Sequence, residues 1–196
     1  MKIGVLALQG DFSEHITALR KLSVDVFEVR LPSDLKNLDG LIIPGGESTV
    51  IGKLATEAGL IAPLQEFGKE HAIWGTCAGA IFLAKYSNEP QPLLSLMDLR
   101  IERNAFGRQI NSFQEMIDIS SMVDKSHVTV PFQAIFIRSP MIRVIEGDVK
   151  PLATLSNGTI IAAQQGKILV TTFHPELTDD LRFHQYFLTL VKLCTP

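Results

Sequence analysis

The stretch Gly75-Thr76-Cys77-Ala78-Gly79 constrains this chain more than any other. An apolar run, Ala72-Ile73-Trp74, leads into it, and a run of helix formers over residues 78–85 leads out. A strand that stops and at once starts a helix forces a sharp turn at the residue between. Small residues on both sides relieve the crowding, which is the geometry of a nucleophile elbow. Here the apex is a cysteine. At a helix N-terminus the macrodipole and the unpaired backbone N–H groups favour a thiolate, the reactive form of that side chain. A small cysteine buried in a strand–turn–helix would satisfy the same pattern. What separates the two readings is whether catalytic partners follow downstream.

The bulk numbers narrow the classes. A chain of 196 residues fits one domain, here 1–196, and is long enough to bury a core without staples. With 46% apolar and 20% charged residues the composition is that of a globular protein, and a net charge of −3 without a basic stretch argues against nucleic acid. Only Cys77 and Cys194 are available, too few for a disulfide framework, so a reducing, cytoplasmic setting is expected. The apolar run at residues 3–8 is too short for a signal peptide and passes into Gln9-Gly10-Asp11. No stretch approaches the length of a membrane span, so no membrane partner is expected.

Taken in order, residues 3–8, 24–29 and 41–43 read as short strands, near-continuous in apolar character. Between the first two lies a helical pattern carrying Phe12, Ile16, Leu19 and Leu22, capped by Asp11 or Ser13. Helical runs at 50–58 and 60–69 precede the Cys77 strand. This alternation predicts an α/β fold: an open, doubly wound, mostly parallel sheet flanked by helices, flavodoxin-like. From 99 to 145 short strand-like runs dominate (99–102, 116–119, 128–130, 134–137) and predict an antiparallel insertion or extension of the sheet. Three more strands (152–155, 159–163, 168–173) follow, with Asn157-Gly158 as a hairpin signal and Gln165-Gly166 as a turn. A final helix is expected from 178 or 179 to 192.

Two further motifs join the elbow. Pro44-Gly45-Gly46-Glu47-Ser48-Thr49 follows a buried strand, and two glycines there can aim N–H groups at an anion or simply supply a flexible loop. In an open α/β sheet ligands bind at the carboxyl ends of strands, where this loop and Cys77 should meet. The last strand runs into His174-Pro175-Glu176. With Pro175 holding the backbone extended, residues two apart face the same way, and the glutamate is expected to stand beside the imidazole. A Cys77–His174–Glu176 triad with oxyanion donors at Ala78, Gly45 and Gly46 is a device for acyl transfer. His15, His71, His127 and His184 have no such context and read as solvated or structural. No paired Cys/His spacing suggests a metal.

With these motifs together, the chain resembles the triad-type (class I) glutamine amidotransferases, and among them the glutaminase subunit of pyridoxal 5′-phosphate synthase. Leu8-Gln9-Gly10, the Gly-Gly-Glu-Ser-Thr loop, Glu102-Arg103-Asn104 with Phe106-Gly107-Arg108-Gln109, Phe136-Ile137-Arg138-Ser139-Pro140 and Phe173 to Asp180 carry the resemblance. It implies hydrolysis of L-glutamine through a thioester on Cys77, with glutamine bound by Gly46, Glu47, Ser48, Arg103, Ile137 and Arg138. It also implies no cofactor, and a barrel-shaped synthase partner in a large hetero-oligomer, with Gln9 near the oxyanion region and the partner contact. Ala80, Val50 and Ser139 depart mildly from the family pattern, and a basic residue often found around Asp11-Phe12-Ser13 is missing. Free ammonia release would be wasteful, so the oxyanion loop is expected to become competent only when the synthase docks. Two other readings fit parts of the pattern: a glutaminase serving another synthase, such as that of the histidine pathway, and a non-catalytic flavodoxin-like protein with an exposed cysteine.

Overall fold

Side chains alternate along the buried strands, and this sorts them into two apolar clusters, one on each face of a seven-stranded sheet. The computed structural model describes residues 1–103, 112–122 and 130–194. The first half runs β1 (Lys2–Leu6), α1 (Phe12–Lys21), β2 (Asp25–Val29), β3 (Gly40–Ile43), α2 (Ser48–Glu57), α3 (Ile61–Glu70), β4 (Ala72–Thr76) and α4 (Ala78–Leu83). It continues through β5 (Ala84–Ser87), β6 (Met97–Glu102), β7 (Ser112–Ile117), β8 (Phe132–Ile137), β9 (Met141–Ile145) and β10 (Lys150–Thr154). The chain closes with β11 (Ile160–Gln165), β12 (Ile168–Thr171) and α5 (Arg182–Cys194).

The strand order is β10-β11-β12-β4-β3-β1-β2. β2, β1, β3, β4 and β12 are parallel, and β10 and β11 add an antiparallel edge. The parallel part has the doubly wound flavodoxin order, as the strand–helix alternation predicts. Ile3, Val5, Ile42, Trp74 and Leu169 face α1 (Ile16, Leu19) and α5 (Phe183, Phe187, Val191). Leu6, Leu41, Ile43, Ile73 and Val170 face α2 (Ile51, Ala55), α3 (Leu64, Phe67) and α4 (Ile81, Phe82). Burial of both faces is why these strands read as unbroken apolar runs.

Several details differ from the sequence reading. The helix after Cys77 stops at Leu83, because the next four residues pair in parallel with β6. Helix propensity over 84–85 yields to that tertiary pairing. The insertion does not widen the main sheet. β5-β6-β9 and β7-β8 are separate small sheets, the first packed into one apolar cluster and the second into the other. The last helix begins at Arg182, later than expected, since Asp180 Oδ1 accepts from Arg182 N at 3.1 Å. The Asn157-Gly158 turn joins β10 to β11 as expected, with Gly158 N donating to Leu155 O at 2.9 Å. The motif residues 104–109, His127 and most of the expected 128–130 strand lie outside the described residues.

Candidate active site

Four strands of the parallel sheet end on the same edge, and each delivers one part of the site. Cys77 follows β4 with φ 47° and ψ −103°, a conformation rare for any residue with a Cβ. Its N–H donates to Thr171 O of β12 at 2.8 Å, which pins the apex to the neighbouring strand. The small flanks are required. A Cβ on Gly79 would lie 2.0 Å from Ile43 O, and one on Gly75 would lie 2.5 Å from Gly79 O. The elbow packs backbone against backbone.

His174 follows β12, and its Nδ1 donates to Glu176 Oε1 at 2.7 Å. The pairing is as expected, but its local cause is different. Pro175–Leu177 forms a 3-10 turn with proline in its first position, so a tight turn rather than an extended segment brings the carboxylate back under the ring. Burial alone would pull the His174 imidazolium down. Hydrogen bonding to Cys77 and to Glu176 outweighs it and pushes the group up to about 11. The raised proton affinity favours an imidazolium beside the sulfur. Burial pushes the Glu176 carboxyl up, and the His174 contact offsets this in part.

Asp11 is not the helix cap the sequence suggests. It stands at the N-terminus of α1 without a capping hydrogen bond, and its Oδ2 lies 3.4 Å from His174 Nδ1. Asp11, His174 and Glu176 bring ligand-type atoms within 4.8 Å of one another. His174 Nδ1 faces Glu176 Oε1 at 2.7 Å, the arrangement of an acid–base pair, with Asp11 beside it.

The Pro44–Ser48 loop packs against the end of β1. Gly46 has φ +150°, and a Cβ there would meet Gln9 Oε1 at 2.5 Å. Gln9 Oε1 accepts from Glu47 N at 2.8 Å, and Gly45 O accepts from Asp11 N at 3.1 Å. A trans peptide sends its N–H opposite to its C=O, so the Gly46 N–H is directed away from Asp11. A cleft of about 340 Å³ opens between these elements, lined by Gln9, Gly46, Glu47, Ser48, Cys77, Ala78, Arg103, Ile137, Arg138 and His174 among others. It thus gathers residues from the elbow, the glycine loop, the His-Pro-Glu turn and the β8 end. Ser48 is 2% exposed, and its Oγ has no hydrogen-bond partner among the described residues. Arg103 forms ion pairs with Glu47 and Glu89, while Arg138, at φ 44°, has no ion-pair partner among the described residues. Ile137 O is 4.0 Å from Cys77 Sγ.

His15 and His184, which read from the sequence as solvated or structural, stand beside the site. Both are fully buried, His15 Nδ1 lies 3.1 Å from His184 Nε2, and His15 Nε2 lies 3.4 Å from Glu176 Oε2. No local spacing signals this, because α1 and α5 sit at opposite ends of the chain. Burial holds His184 down at about 4, and burial, His184 and His174 together hold His15 well below 6.5. Both are neutral in the fold and take up protons more readily when unfolded. Their stability contribution is complete above pH 6.5 and falls away as the pH drops towards about 4. The melting temperature is expected to fall steeply over that window, with each histidine adding up to about 1.4 kcal/mol per pH unit. In a His184→Gln variant thermal scans against pH should show a shallower fall; an unchanged slope would contradict the assignment.

Comparison with known proteins agrees with this geometry. The family model described as the SNO glutamine amidotransferase family matches residues 5–193. A chain named pyridoxal 5′-phosphate synthase subunit PdxT from Herpetosiphon aurantiacus is 50% identical over 97% of this chain and 100% of its own length. One of the same name from Chloroflexus aurantiacus is 48% identical, over the same shares. A crystal structure described as a glutamine amidotransferase superposes with a TM-score of 0.90 at 45% identity, covering 97% of this chain and 98% of that one. The match runs nearly end to end at an identity far above what fold likeness alone requires, and the chain belongs to the SNO glutamine amidotransferase family.

Proposed function

We propose that the chain is the glutaminase of a pyridoxal 5′-phosphate synthase: it hydrolyses L-glutamine to L-glutamate and ammonia, and a barrel-shaped synthase subunit in a larger hetero-oligomer consumes the ammonia. The observation that carries this reading is His174, hydrogen-bonded to buried Glu176 and lining the same cleft as Cys77. Cys77 Sγ attacks the side-chain amide carbon of glutamine. Negative charge gathers on the amide oxygen, where N–H groups of Ala78 and the Gly45-Gly46 segment receive it, each worth ~3 kcal/mol of barrier. His174 passes its proton to the amide nitrogen, the C–N bond breaks, and ammonia leaves a γ-glutamyl thioester. The neutral imidazole then takes a proton from water as that water attacks the thioester, and the sulfur departs.

The α-amino acid head of glutamine carries both charges. Glu47 suits its ammonium, while Arg103 and Arg138 suit its carboxylate through their forked donors. Glu47 and Arg103 pair with each other, so a bound zwitterion would exchange that ion pair for two. The unpaired Ser48 hydroxyl offers one more polar contact. Gln9 and Asp11 hold the glycine loop from the β1 side, and a synthase docking there would reset the oxyanion peptide, coupling hydrolysis to a waiting acceptor. The chemistry needs a reduced Cys77, which fits the cytoplasm. Among the described residues no helix is long and apolar enough to cross a membrane.

Glutamate release from L-glutamine by the purified chain, alone and with the synthase subunit, tests the assignment. We expect release to rise at least about tenfold with the synthase. Activity indifferent to that subunit would move the chain to another amidotransferase assembly. A complex that forms but releases no glutamate would leave a binding protein.

A further inference from the structure

The buried carboxylate of Glu176 has two oxygens, and the triad uses one. Oε1 accepts from His174, while Oε2 is buried and has no hydrogen-bond partner among the described residues. A carboxylate oxygen sealed from water without a donor is costly. The donor facing it is the ring of His15, whose Nε2 lies 3.4 Å from Oε2 and 3.1 Å from Thr76 Oγ1.

The protons of this array can be placed by elimination. If His15 carried its proton on Nδ1, its Nε2 lone pair would face an anionic carboxylate. His184 Nε2 would then have to accept, leaving His184 Nδ1–H as a buried donor, and that atom has no partner. With the opposite tautomers the contacts of His15 agree in sign, and His184 Nδ1 is left as a bare acceptor in place of a buried N–H facing no partner. His184 Nε2–H donates to His15 Nδ1, and His15 Nε2–H donates to Thr76 Oγ1 and towards Glu176 Oε2. The Trp74 ring meets both imidazoles edge-on, at centroid distances of 5.5 and 4.9 Å, and fixes their planes.

We propose that His15 is a positioning residue for the triad: its Nε2–H holds the Glu176 oxygen that His174 leaves free, and His184 fixes the tautomer that makes this possible. The proposal rests on the glutaminase reading. It ties the orientation of His174 to helix α1, which begins directly after the Gln9-Gly10-Asp11 segment that braces the glycine loop. The low proton affinity that burial gives both histidines agrees with neutral rings.

The charged and titratable groups around Glu176 define what a pH profile reports. Asp11 and His15 approach from the α1 side, His184 from α5, Cys77 from the elbow and His174 from its own turn. Glu14, Lys21 and Asp179 line the outer groove beyond it. Removing a neutral donor from Oε2 leaves the charge of this set unchanged but takes away stabilisation of the carboxylate, which raises the set's affinity for a proton, whichever member takes it.

The test uses the complex with the synthase subunit. A His15→Leu variant should lose about tenfold in kcat with KM for glutamine unchanged, and its acid limb should move up by about one pH unit. His15→Gln, which returns an N–H near the same place, should recover most of the rate. Wild-type kcat and acid limb in the leucine variant would overturn the proposal. So would a loss of rate that His15→Gln does not recover and that leaves the acid limb in place, as a purely packing role would give. Nitrogen-15 NMR of the wild-type protein reads the tautomers without any substitution: His15 protonated on Nε2 is expected, and His15 protonated on Nδ1 overturns the proposal even if the leucine variant does not fold. This readout needs no substrate, so a chain that shows the expected tautomer but hydrolyses no glutamine would count against the glutaminase reading and not against the array.

Discussion

Cys77→Ala should reduce glutamate release by about 10⁴-fold or more, to the assay background, in the presence of the synthase. The nucleophile is irreplaceable here because the remaining groups only orient and polarise. His174 stays oriented by Glu176 in the variant, but water would have to attack the amide directly, without the covalent intermediate that splits the reaction into two easier steps. The fold should hardly notice. Cys77 Sγ makes a long contact to Ile137 O, at 4.0 Å, and interacts with His174, neither of which the core depends on, and alanine meets the same backbone cost at φ 47° as cysteine does. Melting curves of the two proteins should therefore agree within about 2 °C. An alanine variant that keeps measurable turnover would mean that another group attacks, and the triad assignment would fail.

Gly79→Ala should do the reverse and strike the fold as much as the chemistry. Its added methyl would sit 2.0 Å from Ile43 O, a backbone atom of the central strand β3, where no rotamer change can relieve it. Either α4 withdraws or β3 bends. Overpacking of this kind costs roughly 3 kcal/mol, which for a chain of this size lowers the melting temperature by about 10 °C. Because α4 carries the Ala78 N–H, withdrawal also opens the oxyanion site, and residual folded enzyme should show reduced kcat. Circular dichroism melts together with glutamate assays would detect both losses. An unperturbed melting temperature would show that the elbow is looser than its backbone contacts imply.

The sheet was legible because parallel strands buried on both faces leave uninterrupted apolar runs, and the elbow because only small residues fit at positions 75 and 79. The His174–Glu176 pair was legible too, though by way of a proline-started turn in place of an extended segment. Two kinds of feature were not. The partition of the insertion into β5-β6-β9 and β7-β8 depends on pairings across tens of residues, and alternation in one strand does not name its neighbour. The His15–His184 contact joins residues 169 apart, with nothing near either to mark it. An isolated histidine in an amphipathic helix looks structural, and its part in the site follows only once the topology has brought α1 and α5 to one face of Trp74.

The strand order also dictates when a growing chain can possess a site at all. β12 is the last strand made, yet it lies between β11 and β4 in the interior of the sheet. Until residues 168–171 leave the ribosome, β4 ends in an unpaired row of backbone groups, and the Cys77 elbow lacks the Thr171 carbonyl that pins it. The nucleophile is thus synthesised well before its base. The same final segment, with α5 behind it, both closes the exposed edge and delivers His174. A nascent or truncated chain carries a sticky strand and an inert cysteine, and catalytic competence arrives together with aggregation resistance in one late step.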